Sequence, residues 1–200
     1  MPSNKEYIDS LVERFVDSFG GLDDMRVNAD VYPIAPELVY GEQDQFGQTE
    51  WRPLRYATEA SRLEPLYAKL PARFPKLYER LILSFRWAEV DLETFRLLAN
   101  PPGPDLSGLL QEVSKDQFLS NVLLRNGFVP FGKGPDVDYD PVCFDISSRA
   151  KNGDCRVVKI DHEEILCNSR IRIVREMAES FEKLVLATIA LAGSRAKPGS

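Results

Sequence analysis

Near the start of the chain, apolar residues recur at helical spacing. Tyr7, Ile8, Leu11, Val12, Phe15, Val16 and Phe19 share one stripe, and Gly20 with Gly21 ends it. Ser3 followed by Glu6 has the form of a capping box, so this segment is expected to be an amphipathic helix docked on a core. From Leu22 to about Arg55 the period dissolves. Pro33, Pro36, Gly41 and Gly47 interrupt it, while Tyr32, Tyr40, Phe46 and Trp51 keep the segment apolar. An ordered, irregular wrap over the surface, with short extended pieces, is expected there.

Helical spacing returns with Leu63, Leu66, Tyr67 and Leu70, closed by Pro71. It continues with Phe74, Leu77, Tyr78, Leu81, Ile82 and Phe85, with Pro75 in the first turn. Val90, Leu92, Phe95 and Leu97 suggest one or two short strands around Asp91 and Glu93, and Asn100 to Pro104 is a break. Leu106 to Val113 reads as helix. Ser114 is positioned to cap the next one, whose stripe is Phe118, Leu119, Val122 and Leu123 and whose stop is Asn126 with Gly127.

The stretch from Phe128 to Glu182 organises the rest. Val142, Phe144 and Ile146 alternate with Cys143 and Asp145, the period of a strand with one buried face. Val157 and Val158 lie in a second β-branched run, ended by the charges of Asp161 to Glu164. Asn152-Gly153 is a hairpin signal, because both residues tolerate positive φ; the loop is longer than two residues and leaves the turn type open. Ile171 and Ile173 continue the strand pattern. Ser180 caps a last helix with the stripe Phe181, Leu184, Val185, Thr188 and Ile189, and Ala196 to Ser200 reads as a frayed tail.

Composition narrows the classes of function. The 200 residues fit one domain, and 44% hydrophobic residues can fill a sizeable core. A net charge of −6 and a pI near 5.0 argue against a nucleic-acid partner. The longest apolar run, Leu184 to Ala192, is too short to span a bilayer, and no secretory signal opens the chain. Cys143, Cys155 and Cys167 are odd in number, lie in or beside apolar runs and form no Cys-x-x-Cys, so buried free thiols in the cytoplasm are expected.

Candidate chemistry is sparse. Asp136, Asp138 and Asp140 resemble the start of a calcium loop, but Pro141 stands where glycine is needed and Ser147 where glutamate is needed. The loop instead reads as solvated carboxylates that can face a cationic partner, with Tyr139 between them as an interface residue. His162, the only histidine, lies beside Asp161, Glu163 and Glu164, yet no nucleophile turn accompanies it. Gly132-Lys133-Gly134 lacks the spacing of a phosphate loop. No catalytic residue, metal site or cofactor is expected.

Taken in order, several parts resemble the SUKH superfamily: Leu70-Pro71 before a helix with Tyr78, the Phe128 to Gly132 strand, the Tyr139 to Ile146 run, Val157-Val158 leading to Asp161-His162, and the Ser180-Phe181-Glu182 helix start. The similarity covers roughly Ser61 to Ala190. The chain departs from the usual pattern at Ser84-Phe85-Arg86-Trp87, where a glycine-rich turn is common. The resemblance implies a single-domain α+β fold, with a twisted, largely antiparallel sheet and helices packed against it. Residues 61–192 would form that domain, 1–60 a helix and irregular extension packed on it, and 193–200 a flexible tail. It also implies a non-enzymatic protein-binding role, such as a bacterial immunity protein that neutralises a toxin, often a basic nuclease domain. The alternatives are a signalling adaptor of the cell-wall synthesis regulator type and, from a different class, a metal-dependent hydrolase using Asp161, His162 and the aspartate loop.

Overall fold

The computed structural model describes residues 4–28, 30–32 and 34–195. The Ser3 cap, Pro33 and the 196–200 tail lie outside them. Among the described residues the first stripe forms α1 (Asn4–Asp17), burying Leu11, Val12, Phe15 and Val16. The wrap that follows holds a small sheet in the order β1-β3-β2, formed by Arg26–Asn28, Val39–Tyr40 and Gln48–Trp51. Strand β4 (Leu54–Arg55) then pairs with β5 (Phe85–Arg86), beyond the short helices α2 (Leu63–Tyr67) and α3 (Lys76–Ser84).

The main sheet is antiparallel, with the order β11-β10-β9-β8-β7-β6. Val90–Asp91 (β6) and Arg96–Leu97 (β7) are the two short strands expected around Asp91 and Glu93. Helices α4 (Ser107–Val113) and α5 (Gln117–Arg125) lead into β8 (Phe128–Lys133) and β9 (Pro141–Asp145). Then come β10 (Val157–Ile160), α6 (His162–Asn168), β11 (Ile173–Ala178) and α7 (Phe181–Arg195). The fold is a single α+β unit with its helices packed on a largely antiparallel sheet, as expected.

Two expectations need correction. Strand β9 is not half-exposed: all five of its residues are buried. Val142 and Phe144 face the larger core with α1, α3 and α7, while Cys143 meets Leu123, Val158, Ile160 and Ile165 beneath α5 and α6. A strand covered on both faces loses its polar alternation. Ser114 does not cap α5. Its hydroxyl donates to Leu110 O at 2.6 Å, and the cap is Asp116, which accepts from Leu119 N at 2.9 Å. Ser180 does cap α7, accepting from Lys183 N at 3.2 Å. Asp154 reinforces it from the 151–154 turn, accepting from Phe181 N at 3.1 Å and Glu182 N at 3.2 Å.

The segment Ser84 to Trp87 acts as a buried clamp. A helix leaves its last carbonyls without internal partners. At the end of α3, Arg86 Nη1 donates to Ile82 O at 2.5 Å and Phe85 O at 2.9 Å. Asn100 Nδ2 donates to the same two oxygens at 3.1 and 2.8 Å, and Arg86 also reaches the Thr58 hydroxyl and stacks under Tyr56. Arg86, Asn100 and Trp87 are all buried. The outer edge, β11, is exposed but broken by two irregularities and studded with Arg175 and Glu176, features that discourage pairing with another sheet.

Arg86→Ala is expected to destabilise the fold by about 2–4 kcal/mol, through lost packing and orphaned hydrogen-bonding groups. The effect should appear as a lower urea midpoint at unchanged slope. Arg86→Lys should recover only part of the loss, because an ammonium cannot reproduce the planar fork. A midpoint equal to that of the unmodified chain would show that the clamp contributes nothing.

Candidate functional site

Strand polarity gathers three connections at one end of the main sheet. Lys133 pairs with Pro141 across β8 and β9 and with Arg96 across β7, and Lys159 pairs with Val142. The turn after Asp91, the 134–140 loop and the start of α6 therefore emerge side by side. Asp91, Glu93, Asp136, Asp138, Asp140 and Asp161, joined by Glu163 and Glu164, outnumber Arg96, Lys133, Lys159, Arg172 and Arg195 at this end.

The aspartate loop is not the free, solvated series its sequence suggests. Gly134 N donates to Asp140 O at 2.9 Å, closing the loop, and Asp138 N donates to Pro135 O at 2.9 Å. Asp138 folds back over Gly134, where a Cβ would lie 2.1 Å from the carboxylate carbon, so any larger residue at 134 would displace the Asp138 side chain. Lys159 Nζ lies 2.7 Å from Asp138 Oδ2 and 3.8 Å from Asp140 Oδ2. Asp140 Oδ1 also accepts from His162 N at 2.9 Å and lies 2.8 Å from His162 Nδ1. Burial works against the charged form of Asp138. The bonds from Lys159 and from Asp140 N outweigh it and hold the carboxyl below its ordinary value.

With Asp138 and Asp140 turned inward, the loop presents Asp136, Val137 and Tyr139 to solvent. Val137 is 82% exposed and Tyr139 63%. Asp136 takes a left-handed φ of 51°, a conformation aspartate tolerates better than most residues. The Tyr139 ring meets His162 edge-on, 6.2 Å between centroids. Thus Asp136, Asp138, Tyr139 and Asp140 stay together in one loop but divide into two solvent-facing residues and two anchors.

Tyr139 and His162 also border a groove of about 480 Å³, with Pro130 and Pro141 in its floor and Leu119 and Leu166 in its walls. Ion pairs at its rim join Lys133 to Glu89 at 2.8 Å and Lys115 to Glu112 at 3.4 Å.

The chain matches no protein-family model and no curated protein.

Other sequence candidates fall into structural roles. Asp161 caps α6, accepting from Glu164 N at 2.8 Å, and pairs with Arg172; those bonds lower its pKa. Cys143 and Cys155 are buried, and burial pushes the Cys155 thiol up to about 12. Cys167 corrects the expectation of three buried thiols: it is exposed on α6, a helix hidden in the sequence behind its charged start. No group of His, Cys, Asp and Glu among the described residues is arranged to hold a metal ion. No helix among them is long and apolar enough to cross a membrane. The residue that sequence reasoning missed is Lys159. Its signal was a lysine inside the run Val157 to Ile160, a place where a charge needs a partner.

Because its folded pKa is depressed, Asp138 stabilises the loop above its unfolded value near 3.8, and that contribution is lost as pH falls through the lower folded value. Acidification below pH 3.8 should lower the amide protection factors of residues 134–140, taken against the intrinsic rate at each pH, in the unmodified chain. Asp138→Asn should show the low protection already at neutral pH. Equal protection in both proteins at pH 7 would contradict the assigned anchor.

Proposed function

We propose that this chain is a non-enzymatic protein-binding module that captures a cationic protein partner at the acidic end of its sheet. The observation that carries this is the anchored loop: Lys159 and His162 hold Asp138 and Asp140 inward, which leaves Val137 and Tyr139 projecting on a fixed backbone. A tyrosine held in place before contact brings rigid area with a polar tip and little ordering cost on binding. The surrounding carboxylate excess attracts a basic surface and raises its association rate.

We further propose membership of the SUKH superfamily and, within it, the immunity role. The partner would then be a toxin domain with a basic cleft, such as a nuclease, which needs cationic residues to hold phosphates. An acidic loop seated in that cleft would exclude substrate. The α+β element order from Ser61 to Ala190 supports this reading. The hydrolase alternative is less well supported. Asp161 is engaged in capping and by Arg172, and Asp140 by His162 and Lys159, so these carboxylates serve to hold the backbone.

With the partner recovered from the native host, Tyr139→Ala should weaken binding by about 2 kcal/mol, mostly through faster dissociation. Asp136→Asn should slow association modestly and flatten its salt dependence. Surface plasmon resonance at two salt concentrations reads both. If neither rate moves, recognition lies elsewhere on the chain.

A further inference from the structure

We infer that the groove beside Tyr139 is an anchor site for an apolar side chain carried on a cationic segment of the partner. This rests on the protein-binding role proposed above and adds the chemistry of what is bound. The groove is large enough to enclose a substantial group: its volume of about 480 Å³ falls within the roughly 300–1,000 Å³ of sites that bury small ligands. Its apolar lining comes from elements distant in sequence: Leu98 after β7, Val113 of α4, Leu119 of α5, Pro130 of β8, Pro141 of β9 and Leu166 of α6. Leu166 is 50% exposed at its mouth. An aliphatic residue half in water beside an open concave surface is a natural seat for an apolar group from outside.

Two features narrow the occupant. The buried prolines Pro130 and Pro141 line the groove within the β8–β9 ladder, whose backbone groups lie in the plane of the sheet, so a bound segment would be held there by side-chain packing. Of the carboxylates lining the groove, Glu89 pairs with Lys133, Glu112 pairs with Lys115 and Asp116 accepts from Leu119 N as a helix cap, so the interior suits an uncharged group. Beyond the rim the balance changes. The groove opens beside Tyr139 and His162, at the end of the sheet where carboxylates are in excess. A segment with an apolar residue flanked by lysine or arginine fits both zones, its centre in the groove and its flanks facing the carboxylates. A purely cationic segment would leave the groove unfilled, and an acidic one would be repelled from its mouth.

The test uses the full chain and short synthetic peptides in a two-by-two design. Each peptide has a leucine-phenylalanine or a serine-serine centre, flanked by lysines or by glutamates. Titrations are followed by amide chemical shifts and by calorimetry. The lysine-flanked apolar peptide should bind best and shift Leu119, Leu166 and Tyr139, with the lysine-flanked serine peptide weaker by about tenfold or more. Leu166→Glu separates apolar seating from charge. It adds a carboxylate at the mouth and should still weaken the lysine-flanked apolar peptide by about tenfold, whereas simple electrostatic attraction would tighten it. Because Leu166 is half-exposed, the variant should keep its thermal midpoint, which is measured alongside. Equal binding of the two lysine-flanked peptides, tighter binding by Leu166→Glu, or shifts confined to residues away from the groove would overturn the anchor site while leaving the protein-binding role standing. If no peptide binds at all, the anchor site is likewise refuted. Loss of salt dependence with the native partner would instead count against the acidic recognition surface.

Discussion

Phe131 and Phe144 stack at 4.1 Å and 17°, one from each of the two central strands, and the rest of the molecule is arranged around that contact. Phe181 of α7 closes on both rings edge-on, Tyr78 of α3 meets Phe144 edge-on and Phe131 at a tilt, and Phe15 of α1 reaches Phe181. An irregularity in β8 lies beside the stack. Pro130 opposes Cys143 and Gly132 opposes Val142, so Phe131 is an extra residue that the partner strand does not match. Gly132 is required next to it, since a Cβ there would lie 2.6 Å from Arg96 O. The same bulge accounts for a proline inside a central strand, where a regular ladder would need its N–H. Val129 and Phe131, two residues apart, face the core, and the buried Pro130 between them lines the groove.

The candidate site at the end of the sheet follows from that arrangement. Strand β8 ends at Lys133, Gly134 lets the chain turn beneath Asp138, and β9 begins at Pro141. Lys159, on the next strand, is then close enough to bind two carboxylates of the loop at once. Part of the charge here is used internally, to hold a loop in one conformation; part faces solvent. In the binding role proposed for this end, the internal part would make the outward part effective, because a loop already held in place gives up less freedom on binding.

Much of the scaffold was legible in the sequence. The stripes of α1, α3, α5 and α7 carry their own period, and Asn126-Gly127 marks the end of α5, with Gly127 at a φ of 77°. What could not be read depends on groups far apart in the chain. Whether β9 has one or two buried faces is decided by α5 and α6, which its own residues do not specify. Ser114 and Asp116 are both capable caps, and only the path of the chain between α4 and α5 chooses between them. Helix α6 begins with His162, Glu163 and Glu164, a run that resembles the charged end of a strand. The small sheet's strands are too short to show any period. At the candidate site, Asp136 to Asp140 were visible as a group, but their division into anchors and solvent-facing residues was not. It depends on Lys159, which is 21 residues from Asp138.

The most direct test of this account is the backbone order of residues 136–140, measured by ¹⁵N relaxation on the free protein. If Lys159 and His162 hold the loop, its order parameters should match those of β8 and β9, near about 0.85. Values below about 0.6 in the loop, with the flanking strands rigid, would contradict it.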